Sequence, residues 1–223
     1  MLVSCWSVKG GVGTTVVATS IALVLASRSA HGSVLVDLAG DVPAVLGIPD
    51  DGRPGVSDWL AAGASVPTGG WARLELPTDR GVAVVPRGRG SLASGDRAEV
   101  LAGILAADRR PVVVDCGCIP TGGPRLDTAA TVFASLAHRS LLVTRACYLA
   151  LRRVQRCPFR PSAVVLVREE GRTLGADEVE AIVGVDIWAE VLVDPHVARA
   201  VDAGLLGARR LPRGLERAFR DAA

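Results

Sequence analysis

The chain has 223 residues, a formal net charge of +2 at pH 7 and a hydrophobic content of 49%, which is enough to form the core of an α/β domain. The near-neutral charge gives no global argument for a nucleic-acid or acidic-membrane partner, and no apolar run reaches the roughly 18 residues of a membrane span. The five cysteines are odd in number and lack the paired spacing of a metal site, which favours reduced thiols in a cytoplasmic protein. We expect a single domain over residues 1–223.

Apolar, β-rich runs alternate with helical patterns along the chain. The predicted strands are Leu2–Val8, Ser33–Leu38, Gly81–Pro86, Pro111–Gly117, Ser140–Arg145, Ser162–Arg168 and Ile187–Val193. The predicted helices are Thr14–Ala30, Val56–Ala62, Asp96–Ala107, Leu126–Ala137, Tyr148–Arg156, Ala176–Val183, His196–Ala203 and Leu215–Ala222. This alternation predicts right-handed crossovers and one doubly wound, mostly parallel sheet with helices on both faces. Ligands of such α/β folds bind beyond the carboxyl ends of the strands, so the residues that follow the strands are candidates for a site.

A glycine-rich stretch, SVKGGVGTTVVATS at Ser7–Ser20, joins the first predicted strand to the first predicted helix. It is typical of a phosphate-binding P-loop, except that Thr14 occupies the place of the usual lysine. Backbone amides of Gly10–Thr15 would converge at the positive end of the helix, where N–H donors and the helix dipole bind phosphate. The Thr15 hydroxyl, in the first helical turn, is placed to ligate Mg²⁺. The predicted nucleotide-binding residues are Lys9, Gly10, Gly11, Val12, Gly13, Thr14 and Thr15.

Two aspartates end predicted strands. Asp115 ends an apolar strand, which fits a Walker B carboxylate that holds the magnesium shell, and Asp37 ends the second strand in the same way. Alone, the glycine loop could be an ordinary strand-to-helix turn, but two strand-terminal aspartates in this order favour a nucleotide site. The predicted metal ligands are Thr15, Asp37 and Asp115.

Lys9 is the only lysine among the 25 basic residues, and the chain contains no asparagine. This bias suggests a GC-rich genome that replaces both residue types wherever their chemistry is dispensable. A lysine that is retained next to two glycines is therefore a candidate for a chemical role. The alternative is an ordinary solvated lysine.

These segments together resemble the ParA/MinD superfamily of ATPases. KGGVGTT, from Lys9 to Thr15, resembles the family's deviant Walker A motif, usually K-G-G-x-G-K-T, and the segments around Asp37 and Asp115 resemble its next motif and its Walker B motif. The tail Asp194–Leu206 resembles the segment that these ATPases carry after their last strand. The resemblance implies a P-loop NTPase fold of the SIMIBI type, a site for ATP and Mg²⁺, and a homodimer that sandwiches the nucleotide. In that family the lysine that matches Lys9 reaches the phosphates of the partner.

Departures from the family pattern concern the chemistry. Thr14, in place of the P-loop lysine, is similar to the CpaE/TadZ branch, which helps place pilus and secretion machinery. Ala39 stands where many relatives have the second aspartate of D-x-D, which helps position the attacking water, and Asp41 is the candidate substitute. Arg168 stands where the family has an adenine-reading asparagine, which leaves base specificity open. The predicted catalytic residues are Lys9, Asp37 and Asp41.

The resemblance implies an ATP-binding, dimerising switch that positions a cellular partner in partitioning, pilus or secretion, or septum machinery. Because two catalytic positions are changed, we expect at most a slow ATPase. The alternative is a pseudo-ATPase scaffold or a nucleoid-binding adapter without nucleotide turnover. Lys9 favours the switch, whereas Thr14 and Ala39 favour the scaffold.

Two arginine clusters leave nonspecific DNA binding open, with a solvated helix face as the alternative. They comprise Arg152, Arg153, Arg156 and Arg160, and then Arg209, Arg210, Arg213, Arg217 and Arg220. The weakly amphipathic terminal helix favours docking on the domain over stable membrane anchoring. Trp59 and Trp71 leave a partner surface and a small satellite core as alternatives. We expect a cytoplasmic location, with peripheral association with the nucleoid or a membrane left open.

Overall fold

A computed structural model describes residues 1–63, 68–93, 96–121, 128–208 and 210–220. The strands in these residues are β1 (Leu2–Ser7), β2 (Ser33–Asp37), β3 (Leu76–Pro77), β4 (Val82–Val85), β5 (Val112–Cys118), β6 (Arg139–Thr144), β7 (Ala163–Arg168) and β8 (Ile187–Leu192). The α-helices in the same ranges are α1 (Thr14–Arg28), α2 (Val42–Leu46), α3 (Val56–Ala61), α4 (Arg97–Ala106), α5 (Ala129–Leu136), α6 (Tyr148–Val154), α7 (Ala176–Val183), α8 (Pro195–Asp202) and α9 (Arg213–Arg220). A 3₁₀ helix covers Thr68–Leu74.

The strands form one sheet in the order β3-β4-β2-β5-β1-β6-β7-β8. Every neighbouring pair is parallel except β3 and β4, which are antiparallel. The predicted α/β class with a mostly parallel sheet is therefore confirmed. Because β1 lies beside β5, β5 beside β2 and β2 beside β4, the segments that follow these four strands share one edge of the sheet.

Both faces of the sheet are buried, because successive residues of a strand point to opposite faces. In β1, Leu2 and Trp6 belong to the apolar cluster that contains residues of α4, α5 and α6. Val3 and Cys5 belong to the cluster that contains residues of α1 and α9. This burial on two sides explains why the strands read as nearly continuous apolar runs in the sequence.

The terminal helix α9 docks on the domain. Leu215 and Phe219 are buried, and the Phe219 ring stacks on Trp188 of β8 with 6.0 Å between ring centroids. The two apolar side chains that would form a membrane-facing stripe are thus part of the core. No helix in the described part of the chain combines the length and apolar character that a membrane span requires.

Several details differ from the sequence expectations. The helix α2 and the strand β3 were not predicted, and the predicted helices that begin at Leu126 and end at Ala222 extend outside the described residues. α5 begins at Ala129, after Thr128, whose hydroxyl accepts a hydrogen bond from the Thr131 amide. The two tryptophans left open by the sequence are both buried, and their rings pack edge to face with 6.1 Å between centroids. They form core, not an exposed surface.

Candidate nucleotide-binding site

The glycine-rich loop leads from the carboxyl end of β1 to the amino end of α1. Gly11 and Gly13 adopt φ values of 75° and 95°, a left-handed conformation that favours glycine. A Cβ added at Gly10, Gly11 or Gly13 would meet no heavy atom within 4 Å, so open space lies over the loop. The first turn of α1 has no acidic side chain, so the positive end of its dipole remains available to an anion. The local geometry is that of a backbone nest for phosphate.

An open cavity of about 990 Å³ lies over this loop, at the upper end of the size range of small-molecule sites. Its walls come from the loop itself and from the segments that follow β2, β4 and β5. The predicted site residues that line it are Gly10, Gly11, Gly13, Thr14, Thr15 and Asp41. Lys9, Val12, Asp37 and Asp115 do not line it. The structure thus brings most of the predicted nucleotide-binding residues together in one place.

Asp115 lies buried beneath the loop, in register with Asp37 of β2 and Cys5 of β1. Its Oδ1 accepts a hydrogen bond of 3.0 Å from the Gly117 amide, whereas its buried Oδ2 has no hydrogen-bond partner among the described residues. Burial raises the pKa of Asp115 to about 7, and the Asp37 charge also raises it. Hydrogen bonds from the Thr15 hydroxyl and the Gly117 amide lower it. An unsatisfied buried carboxylate oxygen beside a threonine hydroxyl indicates a place for a cation or its water shell.

Asp37 is buried, and both of its oxygens are occupied. Oδ1 accepts from the Gly40 amide at 2.7 Å and Oδ2 from the Val42 amide at 3.2 Å. Burial raises the pKa of Asp37 to about 6, against the lowering effect of these two amides. Asp37 therefore shapes the loop that joins β2 to α2. Its predicted roles as a metal ligand and catalytic residue stay predictions.

Asp41 is exposed at the start of α2 and faces the same cavity as Thr15. Ala39, two residues earlier, lies close to Gly117 near the end of β5. A Cβ built on Gly117 would lie only 3.1 Å from the Ala39 Cβ. Gly117 itself has a φ of 63°, which suits glycine. At this edge of the cavity, the loop after β2 thus offers one carboxylate, at position 41.

Lys9 is half-buried and does not line the cavity, and its Nζ lies 3.9 Å from the Cys147 Sγ. Backbone hydrogen bonds from Ala150 and Leu149 lower the pKa of the Cys147 thiol, against the effect of burial, and the Lys9 charge lowers it further. Lys9 therefore does not reach a ligand over its own loop in this conformation. This placement is compatible with the contact across a dimer that the family resemblance implies.

Two arginines donate hydrogen bonds to backbone carbonyls in and just before the loop. Arg145 Nη2 donates to the Gly11 carbonyl at 3.1 Å, and its Nη1 lies 3.6 Å from Glu169. Arg153 Nη1 donates to the Val8 carbonyl at 3.3 Å. From the sequence, Arg145 was predicted only as the last residue of a strand, and Arg153 only as part of an arginine cluster. Neither contact has a local sequence signal, because the partners lie more than a hundred positions apart.

Sequence reasoning missed Arg87, which lines the cavity just after β4. The only signal that could have found it is its position beyond a strand end, since ligands of such sheets bind there.

The residues present fit Mg²⁺ bound together with phosphate. The described residues contain no cluster of three or more His, Cys, Asp or Glu that would hold a metal by itself. Mg²⁺ in nucleotide sites is held by one or two protein oxygens, water and the phosphates, and Thr15 with Asp115 offers that kind of set. The buried free oxygen of Asp115 is the structural observation that supports the fit.

A mostly parallel sheet with a glycine-rich loop and a helix amino terminus at its carboxyl edge is the arrangement of nucleotide-binding α/β folds. No protein-family model matches the sequence, and no curated protein matches it. Solved structures are similar over nearly the whole chain. The septum site-determining protein MinD of Pyrococcus horikoshii, complexed with Mg-ADP, has a TM-score of 0.73 and 18% identity over 99% of this chain and 93% of that one.

Two further structures extend this likeness. The MinC:MinD cell division protein complex of Aquifex aeolicus has a TM-score of 0.73 and 16% identity over 99% of this chain and 94% of that one. A ParA family ATPase of Chlorobium tepidum has a TM-score of 0.71 and 17% identity over 99% of this chain and 97% of that one. At this level of identity the likeness establishes the fold: the chain folds as the MinD and ParA ATPases do.

Proposed function

We propose that the chain is an ATP-binding switch of the ParA/MinD type, which dimerises on ATP and positions a cellular partner. The observation that carries the proposal is the arrangement of Thr15 at the base of an open glycine nest, beside the unpaired oxygen of buried Asp115. Backbone amides of the loop bind the phosphates, and the half-charge at the start of α1 favours their negative charge. We assign the whole of 1–223 to this one nucleotide-binding domain.

The cofactors of the proposed site are ATP and Mg²⁺. A bound Mg²⁺ would supply positive charge that neutralises the phosphates. Thr15 is the proposed direct protein ligand, and Asp115 orders the surrounding water through its free oxygen. The Mg-ADP in the Pyrococcus horikoshii MinD structure supports this choice of cofactors by fold likeness.

Hydrolysis is proposed to be slow. Thr14, nearly buried at the first position of α1, offers the phosphates a hydroxyl in place of an ammonium group. Ala39 offers no carboxylate to position water, and Asp41 stands two residues away. Loss of one preorganised transition-state group typically costs about 10²–10³ in rate, so two departures leave little turnover. Nucleotide binding is weakened less than hydrolysis, because the backbone N–H donors of the loop remain.

A homodimer is proposed from the surface beside the loop. Lys9 contacts Cys147, and the next two residues, Tyr148 and Leu149, are 66% and 55% exposed. An exposed apolar patch therefore borders the lysine. A second copy that covers this patch would bring its bound phosphates towards Lys9. The MinC:MinD complex supports a protein partner of this fold in general terms. The Thr14 substitution favours the CpaE/TadZ-like branch and hence pilus or secretion machinery as the cargo.

The alternative is a scaffold that keeps the dimer fold without nucleotide chemistry, and Thr14 with Ala39 favours it. A nucleoid-binding adapter is favoured by one surface feature: a cleft of about 520 Å³ lined by Arg210, Arg213, Arg217, Arg220 and a single acid, Glu216. Such a basic cleft suits phosphates of a polyanion. Either alternative is compatible with a cytoplasmic protein that associates peripherally with its target.

Calorimetry of the purified protein with ATP and ADP, with Mg²⁺ and with EDTA, tests the proposal. We expect binding of both nucleotides that strengthens with Mg²⁺, and dimerisation with ATP alone. A folded protein that binds no nucleotide at millimolar concentration would favour the scaffold. Nucleotide binding without dimerisation would retain the site but remove the switch.

A further inference from the structure

The nucleotide cavity has one cationic side chain in its wall, Arg87, among the described residues. The usual P-loop cation is absent because position 14 is threonine. Lys9 does not line the cavity, and Arg145 is engaged with the Gly11 carbonyl and Glu169. Among the described residues, Arg87 is therefore the only guanidinium or ammonium group of its own chain in the wall that a polyphosphate bound over this loop would meet.

The fold presents Arg87 rigidly to this cavity. The carbonyls of Pro86 and Arg87 accept hydrogen bonds of 2.9 Å from the amides of Val56 and Ser57, at the start of α3. Two consecutive anchors of this kind fix the backbone at position 87. The segment that carries it follows β4, which pairs with β2, so it lies beside the loop that contains Ala39 and Asp41.

The side chain of Arg87 runs along that loop. Its Cδ lies 3.4 Å from the position of a Cβ built on Gly40, whose φ of 99° suits glycine. Gly40 lies between Ala39 and Asp41, which both line the cavity. The separation of 3.4 Å is an ordinary van der Waals contact, so the stem of Arg87 lies against the loop.

The guanidinium of Arg87 has no hydrogen-bond acceptor or ion-pair partner in the described part of the chain. Its neighbours in the fold are engaged: Arg53 pairs with Asp51, and Arg97 stacks over the Trp59 ring at 3.9 Å. A half-buried guanidinium without an anion, at the wall of an anion-binding nest, is suited to a ligand phosphate.

We propose that Arg87 binds the terminal phosphate of ATP and supplies the positive charge that Thr14 does not. This inference rests on the proposed nucleotide site and names a binding residue in it. Arg87 lines the same cavity as Thr15, which would hold Mg²⁺, and as Ala39 and Asp41, at the position where water would attack the terminal phosphate. A guanidinium donates two parallel hydrogen bonds to a phosphate, whereas an ammonium group acts as a point charge.

Calorimetry with Mg²⁺–ATP and Mg²⁺–ADP on three single variants tests the inference. Arg87→Gln, which keeps most of the stem, is expected to weaken ATP binding about tenfold to a hundredfold and ADP binding less than about threefold. Arg87→Lys should retain part of the ATP affinity. Arg89→Gln is the matched control, because Arg89 lies in the same segment, is exposed and does not line the cavity.

A double variant separates charge compensation from a structural role. If Arg87 replaces the missing P-loop cation, Thr14→Lys in the Arg87→Gln background should restore ATP affinity, which a purely structural defect would not allow. Circular dichroism and thermal melting confirm the fold of each variant.

The outcomes distinguish this inference from the proposed function. Wild-type protein that binds ATP while Arg87→Gln binds it equally well overturns the role of Arg87 and leaves the proposed function standing. Equal losses for ATP and ADP, or equal losses in Arg87→Gln and Arg89→Gln, overturn the assignment to the terminal phosphate. Wild-type protein that binds neither nucleotide removes the proposed function and this inference with it.

Discussion

Asp37 and Asp115 lie side by side in neighbouring parallel strands, as register partners at the carboxyl edge of the sheet. Both carboxyl groups are fully buried, and burial is the largest cause that raises the pKa of each. The Asp37 charge raises the pKa of Asp115 further, and the Asp41 charge raises that of Asp37. Two buried acids without a basic partner destabilise the fold when ionised. In P-loop sites a bound divalent cation neutralises such charge. The two aspartates therefore affect the stability of the protein as well as the binding of the metal.

The metal-free protein should lose stability as pH rises. The folded-state pKa values of about 6 and about 7 lie above the ordinary value of 3.8, so between about pH 4 and 7 the folded state holds more protons than the unfolded state. The free energy of unfolding therefore falls across this window as pH rises. Asp115→Asn should flatten the slope and stabilise the protein at pH 8 by on the order of 2 kcal/mol.

Urea unfolding in EDTA at several pH values measures this slope. Asp79→Asn, at an exposed position, is the control and should leave it unchanged. A wild-type free energy of unfolding that rises between pH 4 and 7, with no gain from Asp115→Asn, would contradict the assignment of buried, unpaired acids.

Thr15 and Thr14 should differ in their effect on magnesium. Thr15 adjoins Asp115, whereas Thr14 lines the cavity without such a partner. Thr15→Ala is expected to weaken Mg²⁺–ATP binding about tenfold or more, and Thr14→Ala to weaken it less, because a charge-assisted contact is worth about 1.5–3 kcal/mol.

Calorimetry with and without EDTA checks the difference, and Thr15→Ser, which keeps the hydroxyl, is the matched control. In EDTA the two alanine variants should bind alike. Equal losses in the presence of Mg²⁺ would mean that Thr15 is not a magnesium ligand.

Much of the fold could be predicted from the sequence because the sheet is buried on both faces. Seven of the strands are long apolar runs bounded by turn residues, and the helices between them fix the parallel arrangement. β3 has only the residues Leu76–Pro77, and α2 has five residues with a proline near its start, so neither is long enough to repeat its pattern. Elements of that size are set by tertiary contacts.

The candidate site was predictable only in part. The glycine pattern placed the loop, and the strand ends placed Asp115 beneath it. The hydrogen bonds that occupy Asp37 depend on the path of the loop to Gly40 and Val42, which no local pattern specifies. Arg87 reaches the cavity because β4 pairs with β2, and strand order in the sheet differs from order in the chain.

Hydrolysis should be slow and partly restorable. Wild-type turnover is expected below about 1 s⁻¹, the lower end of typical enzyme values. The double variant Thr14→Lys, Ala39→Asp returns both missing groups to positions that line the cavity, and it should raise the rate about tenfold or more. Phosphate release under single-turnover conditions measures the hydrolysis rate. The two single variants are compared with the double variant and the wild type. Wild-type turnover above about 1 s⁻¹ would overturn the argument from the two departures.

Lys9 should matter in the dimer and little in the monomer. Its Nζ lies beside Cys147 and outside its own cavity, so removal costs the isolated site little, whereas a second copy would place phosphates near it. Lys9→Ala and Lys9→Arg are both expected to abolish ATP-induced dimerisation, since the planar guanidinium is a poor substitute for a compact ammonium group. ATP affinity at concentrations that favour the monomer should change less than about threefold in both. Light scattering with and without ATP measures the dimerisation, and thermal melting confirms that each variant is folded. A Lys9→Ala variant that dimerises like the wild type would make Lys9 an ordinary loop residue and favour the scaffold.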